Sequence, residues 1–162
     1  MTQGIVTNLW FDTQAEEAAE FYCSIFPSSR IVNVARYTEA GPGEPGSVMV
    51  VEFELDGTRL VGINGGPQFT FSEAVSLQVR CKSQEEVDHY WDALTDGGEE
   101  GPCGWLKDRY GVSWQVTPEG LDELFAQSDP EASKRAMEAM FGMKKLDLAV
   151  LRAAAEGAPA SR

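Results

Sequence analysis

The sequence predicts an α+β fold made of one β-α-β-β-β module used twice, with helices after the second copy. Three observations carry this. Two capping boxes, Thr13 with Glu16 and Ser83 with Glu86, each open a helix that follows a strand. An Asp56-Gly57 pair separates two alternating runs, a strong hairpin signal. The stretch GPCGWLKDRYGVSWQVTP, residues 101–118, reads as another hairpin, turning on Asp108-Arg109-Tyr110-Gly111. Module one is expected over about residues 4–66, module two over 72–118 and a helical extension over 119–155. The 162 residues are expected to form a single domain, and their 43% apolar content suffices for a core.

Each element follows in order. Ile5 to Phe11 is predicted as a strand with Ile5, Leu9 and Phe11 on the core face and Asn8 and Trp10 on the other. The helix from the Thr13 box carries Ala15, Ala18, Ala19, Tyr22, Ile25 and Phe26 at helical spacing and stops at Pro27. Strands are predicted over 31–37, 48–55 and 58–64. Ala74 to Arg80 alternates as a strand, and the Ser83 box opens a helix with Val87, Tyr90, Trp91 and Leu94 that Gly97-Gly98 ends. Short strands are expected near 99–103 and 104–107. Over 112–117, Val112, Trp114 and Val116 share the core face and Ser113, Gln115 and Thr117 the other. Beyond Pro118 the composition turns helical: Leu121, Leu124 and Phe125, then Asp129-Pro130 capping a helix with Ala136, Met137, Met140 and Phe141, then Leu146, Val150 and Ala153. That Met-containing stripe is read as packing against the sheet or a partner subunit.

Charge and cysteine usage narrow the function. Thirteen Lys and Arg against 26 Asp and Glu give a net charge of −13, which repels nucleic acid and anionic membranes. No apolar run reaches the ~18 residues of a membrane span and no basic leader precedes the first strand, so the protein is expected in the cytoplasm. Cys23, Cys81 and Cys103 are odd in number and have no C-x-x-C pair, as reduced thiols would be.

The segments LWFDTQAEEAAEFYCSIFP, INGGP, CGWLKDRYGVSWQVTP and AMEAMFGMKKLDLAVLRAA resemble the PhnB-like branch of the vicinal oxygen chelate superfamily, which includes glyoxalase, bleomycin-resistance and extradiol dioxygenase proteins. The resemblance implies that the paired modules bend into a cup-shaped mixed sheet, commonly in a homodimer, with a ligand or metal inside. The branch is often labelled demethylubiquinone methyltransferase-like. Gly41 to Gly46 matches G-x-G-x-x-G literally. However, Pro42 and Pro45 lack N–H groups and a strand follows, so no cofactor loop is expected, and no cofactor.

Metal-using members present His, Glu or Gln from the first and last strands of each module. The resemblance places Asn8, Asn64 or its neighbours, Ala74 or Ser76, and Gln115 at those positions. Amides, a hydroxyl and a methyl are poor ligands for a divalent ion, so no metal is expected. The lone histidine, His89, reads as a solvated helix residue.

A neutral polar lining remains. Asn8, Trp10, Asn64, Ser76, Gln78 and Gln115, with Ser113 and Thr117 beside them, are read as lying opposite the apolar face of their strands and as binding a small organic molecule. The reading is a small-molecule binding protein, expected as a homodimer. The alternative is an enzyme of the same superfamily, metal-dependent or metal-free, acting on a small organic substrate. Its candidate groups are Cys103, which has Lys107 and Arg109 nearby in sequence, and the Glu52–Glu54 pair.

Overall fold

The computed structural model describes residues 4–157. Between Phe71 and Ser72 the chain divides into two compact units, each holding one four-stranded mixed sheet. In the first unit the elements are β1 (Thr7–Phe11), α1 (Ala15–Ile25), β2 (Arg30–Arg36), β3 (Val48–Leu55) and β4 (Thr58–Asn64), in spatial order β1-β4-β3-β2. β1 runs parallel to β4, and the other pairs are antiparallel. Asp56 and Gly57 both take left-handed backbone, φ 46° and 78°, which matches the twist of the strands they join.

Alternation decides which side of this sheet is core. Leu9, Phe11, Val51, Phe53, Leu55 and Leu60 are buried together with Ala15, Ala18, Ala19, Tyr22 and Ile25 of α1. The small residues of α1 bring it close to the sheet: a Cβ on Gly62 would lie 3.0 Å from the Ala15 Cβ, and Tyr22 stacks on Phe53 with ring centroids 6.2 Å apart. Fully burying each large apolar side chain contributes roughly 1.5–3 kcal/mol.

Two expectations for this unit are corrected. Ile5 lies outside the strand and is 92% exposed, because the ladder to β4 begins at Thr7 opposite Leu60 and gives Ile5 no partner on the core side. The Thr13–Glu16 capping box does not form; α1 begins at Ala15 with no cap from the adjacent side chains. Asn64 supplies it from the end of β4, its Oδ1 accepting from Ala15 N at 2.8 Å while its Nδ2 donates to Val48 O at 3.1 Å. Local sequence could not reveal a cap donated across 49 positions.

The second unit holds β5 (Leu77–Cys81), α2 (Gln84–Thr95), β6 (Glu99–Glu100), β7 (Trp105–Lys107) and β8 (Ser113–Pro118), in spatial order β5-β8-β7-β6. β5 is parallel to β8 and begins at Leu77, not Ala74. Here the predicted box forms: Ser83 Oγ accepts from Glu86 N at 3.2 Å, and the Glu86 carboxylate reaches back to Lys82 N at 2.7 Å. Val87, Trp91 and Leu94 of α2 are buried, as are Cys81, Leu106, Trp114 and Val116 of the sheet.

Three helices complete this unit: α3 (Leu121–Phe125), α4 (Pro130–Phe141) and α5 (Leu148–Ala155). Leu124, Ala132, Ala136, Leu151 and Ala155 form their own small core, with Met140 against it. The expected stripe therefore splits: Ala136 and Met140 pack inward, while Met137 and Phe141 are 40% and 66% exposed. The segment before α5 is strapped to the hairpin, Cys103 N donating to Met143 O and Gly104 N to Lys144 O at 2.8 and 2.7 Å. Gly104 needs its left-handed φ of 82° there, and a Cβ would meet Val116 O at 2.7 Å. Lys145 adds a bridge to Asp88 at 2.9 Å, a hydrogen bond that holds the Asp88 carboxyl below its usual range.

Asn64→Ala is expected to lower stability in urea unfolding by about 1–2 kcal/mol, the cost of a lost cap that also leaves the buried Ala15 N–H without its acceptor. Thr13→Ala is expected to change it by less than about 0.5 kcal/mol, as for a surface substitution.

Candidate functional site

The β7–β8 hairpin sets the geometry of the second unit's sheet. Asp108 is 3% exposed and accepts from Tyr110 N at 2.9 Å and Val112 N at 3.0 Å through Oδ1, and from Trp114 Nε1 at 2.8 Å through Oδ2. The carboxylate thus fixes the turn and pulls Trp114 to the α2 side. Pairing then fixes what lies on the face away from α2. Trp105 pairs with Gln115, and Gln115 with Gln78; Lys107 pairs with Ser113 in the next row.

These neighbours form a hydrogen-bonded surface. Gln115 Nε2 donates to Ser76 Oγ at 2.8 Å, and Gln78 Nε2 donates to Thr117 Oγ1 at 3.0 Å, whose hydroxyl donates to Val79 O. Ser113 is 1% exposed and its Oγ has no hydrogen-bond partner among the described residues. A buried hydroxyl left so costs about 1–3 kcal/mol unless a partner arrives. Lys107 is held by Glu73 at 2.6 Å, which pushes the lysine pKa up and the Glu73 carboxyl down; Arg80 reaches Asp122 at 3.8 Å. A cavity of about 380 Å³ opens beside Trp105 and Lys107 on the β6 side, bounded by Glu73, Glu99, Glu100, Gly101, Pro102 and Leu106; Gln115, Ser113, Ser76 and Gln78 do not line it. Trp105 escaped the sequence reading: the predicted four-residue turn would set it opposite Trp114, whereas Asp108 N donating to Val112 O closes a shorter loop and shifts the register to Gln115.

In the first unit the predicted residues separate. Asn8 and Trp10 lie in rows with Val61 and Glu52 and with Ile63 and Val50, on the face away from α1. Asn8 is exposed and donates to Val6 O, and Trp10 lies over Gly65 with Nε1 donating to Gly66 O at 2.9 Å. Asn64 does not join them. It shares the α1 side with Leu60 and Gly62, so its expected position opposite the apolar face is corrected. Glu52 and Glu54 are on the Asn8 side, Glu54 3.0 Å from Arg30 and Arg59 reaching both carboxylates at 3.7–4.0 Å, an ion-pair ladder across β2, β3 and β4.

The Gly41–Gly46 stretch leads into β3 and wraps a tyrosine: a Cβ on Gly43 would lie 2.4 Å from the Tyr37 ring, and Tyr37 Oη donates to Asn64 O at 2.8 Å. Below it a cleft of about 690 Å³ is bordered by Tyr37, Asn64 and the carboxylates of Asp12, Glu16, Glu20 and Glu44. Sequence reasoning missed this cleft because its acids come from two separated segments, residues 12–20 and Glu44.

The remaining candidates have local roles. Cys103 takes a left-handed φ of 57° and its Sγ lies 3.6 Å from Met140 O. The cations expected to favour its thiolate are held elsewhere, Lys107 on Glu73 and Arg109 on Asp96 at 2.6 Å. Burial pushes the Cys81 thiol up to about 12. His89 is exposed and sits edge-on to Tyr90. Among the described residues no three His, Cys, Asp or Glu side chains gather in a metal-binding group. The positions implied by the superfamily resemblance do not fit a divalent ion either, since Asn64 uses both amide atoms on Ala15 N and Val48 O, and Gln115 offers a single neutral amide oxygen, a weak ligand.

A β-α-β-β-β order that occurs twice, each time giving a mixed four-stranded sheet with one helix packed on it, defines the class: a vicinal oxygen chelate fold. The family model described as 3-demethylubiquinone-9 3-methyltransferase matches residues 3–117. The chain belongs to that family, the PhnB-like branch of the superfamily. A solved structure described as a putative 3-demethylubiquinone-9 3-methyltransferase, PhnB protein, from Bacillus cereus is 41% identical; the match covers 72% of this chain and 99% of that one, with TM-score 0.65. Two fosfomycin resistance proteins, FosX, share the fold. The one from Mesorhizobium loti is 13% identical, with 78% and 100% coverage and TM-score 0.55. That from Listeria monocytogenes, complexed with Mn(II) and sulfate, is 15% identical, with 76% and 95% coverage and TM-score 0.53. A search of curated proteins returns no significant relative.

Purified protein incubated with Mn(II), Ni(II) or Zn(II) and desalted is expected to retain well under one ion per chain. Retention near one per chain that Gln115→Ala removes would overturn this donor assignment.

Proposed function

We propose that the protein binds a small uncharged organic molecule on the polar face of its second sheet, without a metal. One observation carries the reading: Ser113 Oγ is buried and unpaired on the same face as Gln115, whose Oε1 accepts no hydrogen bond among the described residues. Buried polar atoms are otherwise almost always satisfied, so Ser113 Oγ calls for a partner. Ser76 and Gln78 belong to the same site through their bonds to Gln115 and Thr117. Asn8 and Trp10 lie on the face of the first sheet away from α1, and Asn64 acts by holding α1 in place.

The Bacillus cereus relative is described as a putative methyltransferase, but this chain's Gly41–Gly46 stretch folds over Tyr37 and runs into a strand rather than a helix. It offers no helix N-terminus for a cofactor's charged groups. An enzymatic reading would rest on Cys103, Glu52 or Glu54, whose neighbours are a carbonyl and two arginines. Binding is therefore the function the geometry supports best. The proposed protein is a homodimer, because exposed Met137 and Phe141 leave an apolar stretch of α4 to be covered.

Gln115→Ala is expected to melt near wild type and lose affinity for neutral molecules found by a thermal-shift screen. Trp114→Ala is expected to cost roughly 3–5 kcal/mol and to abolish folding. Unchanged affinity in Gln115→Ala would overturn the site, and a monomer mass in light scattering would overturn the dimer.

A further inference from the structure

Of the three asparagines in the chain, Asn8, Asn33 and Asn64, only Asn64 is followed by glycine. The pairing has a chemical consequence. Glycine has no side chain to shield its backbone nitrogen, so Gly65 N can attack the Asn64 side-chain amide more readily than the nitrogens of Leu9 and Val34 can attack theirs. In that step Gly65 N gives its proton to base and forms a bond to Asn64 Cγ, the Cγ–Nδ2 bond breaks, and ammonia leaves a five-membered succinimide. Water then opens the ring at either carbonyl, producing aspartate or isoaspartate.

The fold blocks each part of this reaction. Gly65 N is engaged as a donor to Phe11 O at 3.0 Å, and the Trp10 ring lies so close over Gly65 that a Cβ there would overlap it. Asn64 is 8% exposed, its Oδ1 held by Ala15 N at 2.8 Å and its Nδ2 by Val48 O at 3.1 Å. Its own carbonyl accepts from Tyr37 Oη at 2.8 Å, which ties down the peptide unit that the ring would include. Attack therefore requires Gly65 to leave β1 and the Asn64 amide to leave both α1 and β3.

Neither product fits the site. Aspartate keeps an acceptor for Ala15 N but sets an oxygen, in place of the Nδ2 hydrogens, against Val48 O. Isoaspartate lengthens the main chain by one carbon where Phe11 pairs with Asn64 at the end of the ladder. Both place a new carboxylate beside a cleft already bordered by Asp12, Glu16 and Glu44. We propose that Asn64 is a site of spontaneous deamidation gated by the fold of the first unit. It converts only while the end of β4 is detached, and conversion prevents the junction of α1, β3 and β4 from closing as before.

The test incubates the full chain at mildly alkaline pH, folded and in guanidinium, and follows the Asn64 peptide by mass spectrometry for aspartate and isoaspartate. In guanidinium Asn64 is expected to convert well before Asn8 and Asn33. In the folded chain it is expected to convert about a hundredfold more slowly than in guanidinium, since only the detached fraction reacts. Tyr37→Phe removes one bond to Asn64 and no reacting atom. It is expected to raise the folded rate about fivefold, the factor of one hydrogen bond, and to leave the rate in guanidinium unchanged. Asn64→Asp is expected to melt below wild type. Equal rates for the folded and denatured wild type, or no preference for Asn64 in guanidinium, overturn the proposal without needing any variant to fold. A folded rate indifferent to Tyr37→Phe overturns the gate, and Asn64→Asp melting with wild type overturns the effect of conversion on the junction.

Discussion

The Asp108 carboxylate is the interaction on which the proposed site depends. A buried acid must find donors, and Asp108 finds two backbone amides of its own turn and the indole of Trp114. Those bonds bend the chain, fix the pairing of residues 105–107 with 113–115, and bring Trp114 to the helix side. Once Trp114 is inward, alternation leaves no choice for Ser113, Gln115 and Thr117. A polar surface is built because one turn is held by charge-assisted hydrogen bonds.

The two modules reach similar architecture by different local means. α2 is capped by its own Ser83 and Glu86, a device contained within four residues. α1 is capped by Asn64, so its start depends on β4 already being paired with β1 and β3. The Asn64 amide also ties β3, and its backbone carbonyl receives the Tyr37 hydroxyl around which the 38–47 loop is wound. Asn64 is thus a structural hub in the first unit, which makes the position unsuited to ligating a metal.

The helices after β8 lie outside the family match, which ends at residue 117. They carry their own apolar cluster and are attached through backbone bonds to Cys103 and Gly104, with Gln84 donating to Leu146 O at 3.0 Å. Cys103 is drawn into this attachment. Its left-handed backbone and its Sγ near Met140 O are consequences of strapping two segments together, a sufficient reason for its setting without invoking nucleophilic chemistry.

The sequence by itself determined the order of elements, both hairpins, the α2 cap and the inward and outward assignment in β8, because each rests on signals within a few residues: turn chemistry, capping spacing and period-two alternation. Tertiary structure decided what depends on distant partners. It put Asn64 on the helix side of β4 as the cap of α1, left Ile5 beyond the ladder, and gathered carboxylates from two segments around one cleft. It also set Trp105 beside Gln115 and left Ser113 buried without a partner. Alternation names the two faces of a strand; in β8 the apolar residues also mark which is core, whereas for Asn64 in β4 only packing against α1 decided it.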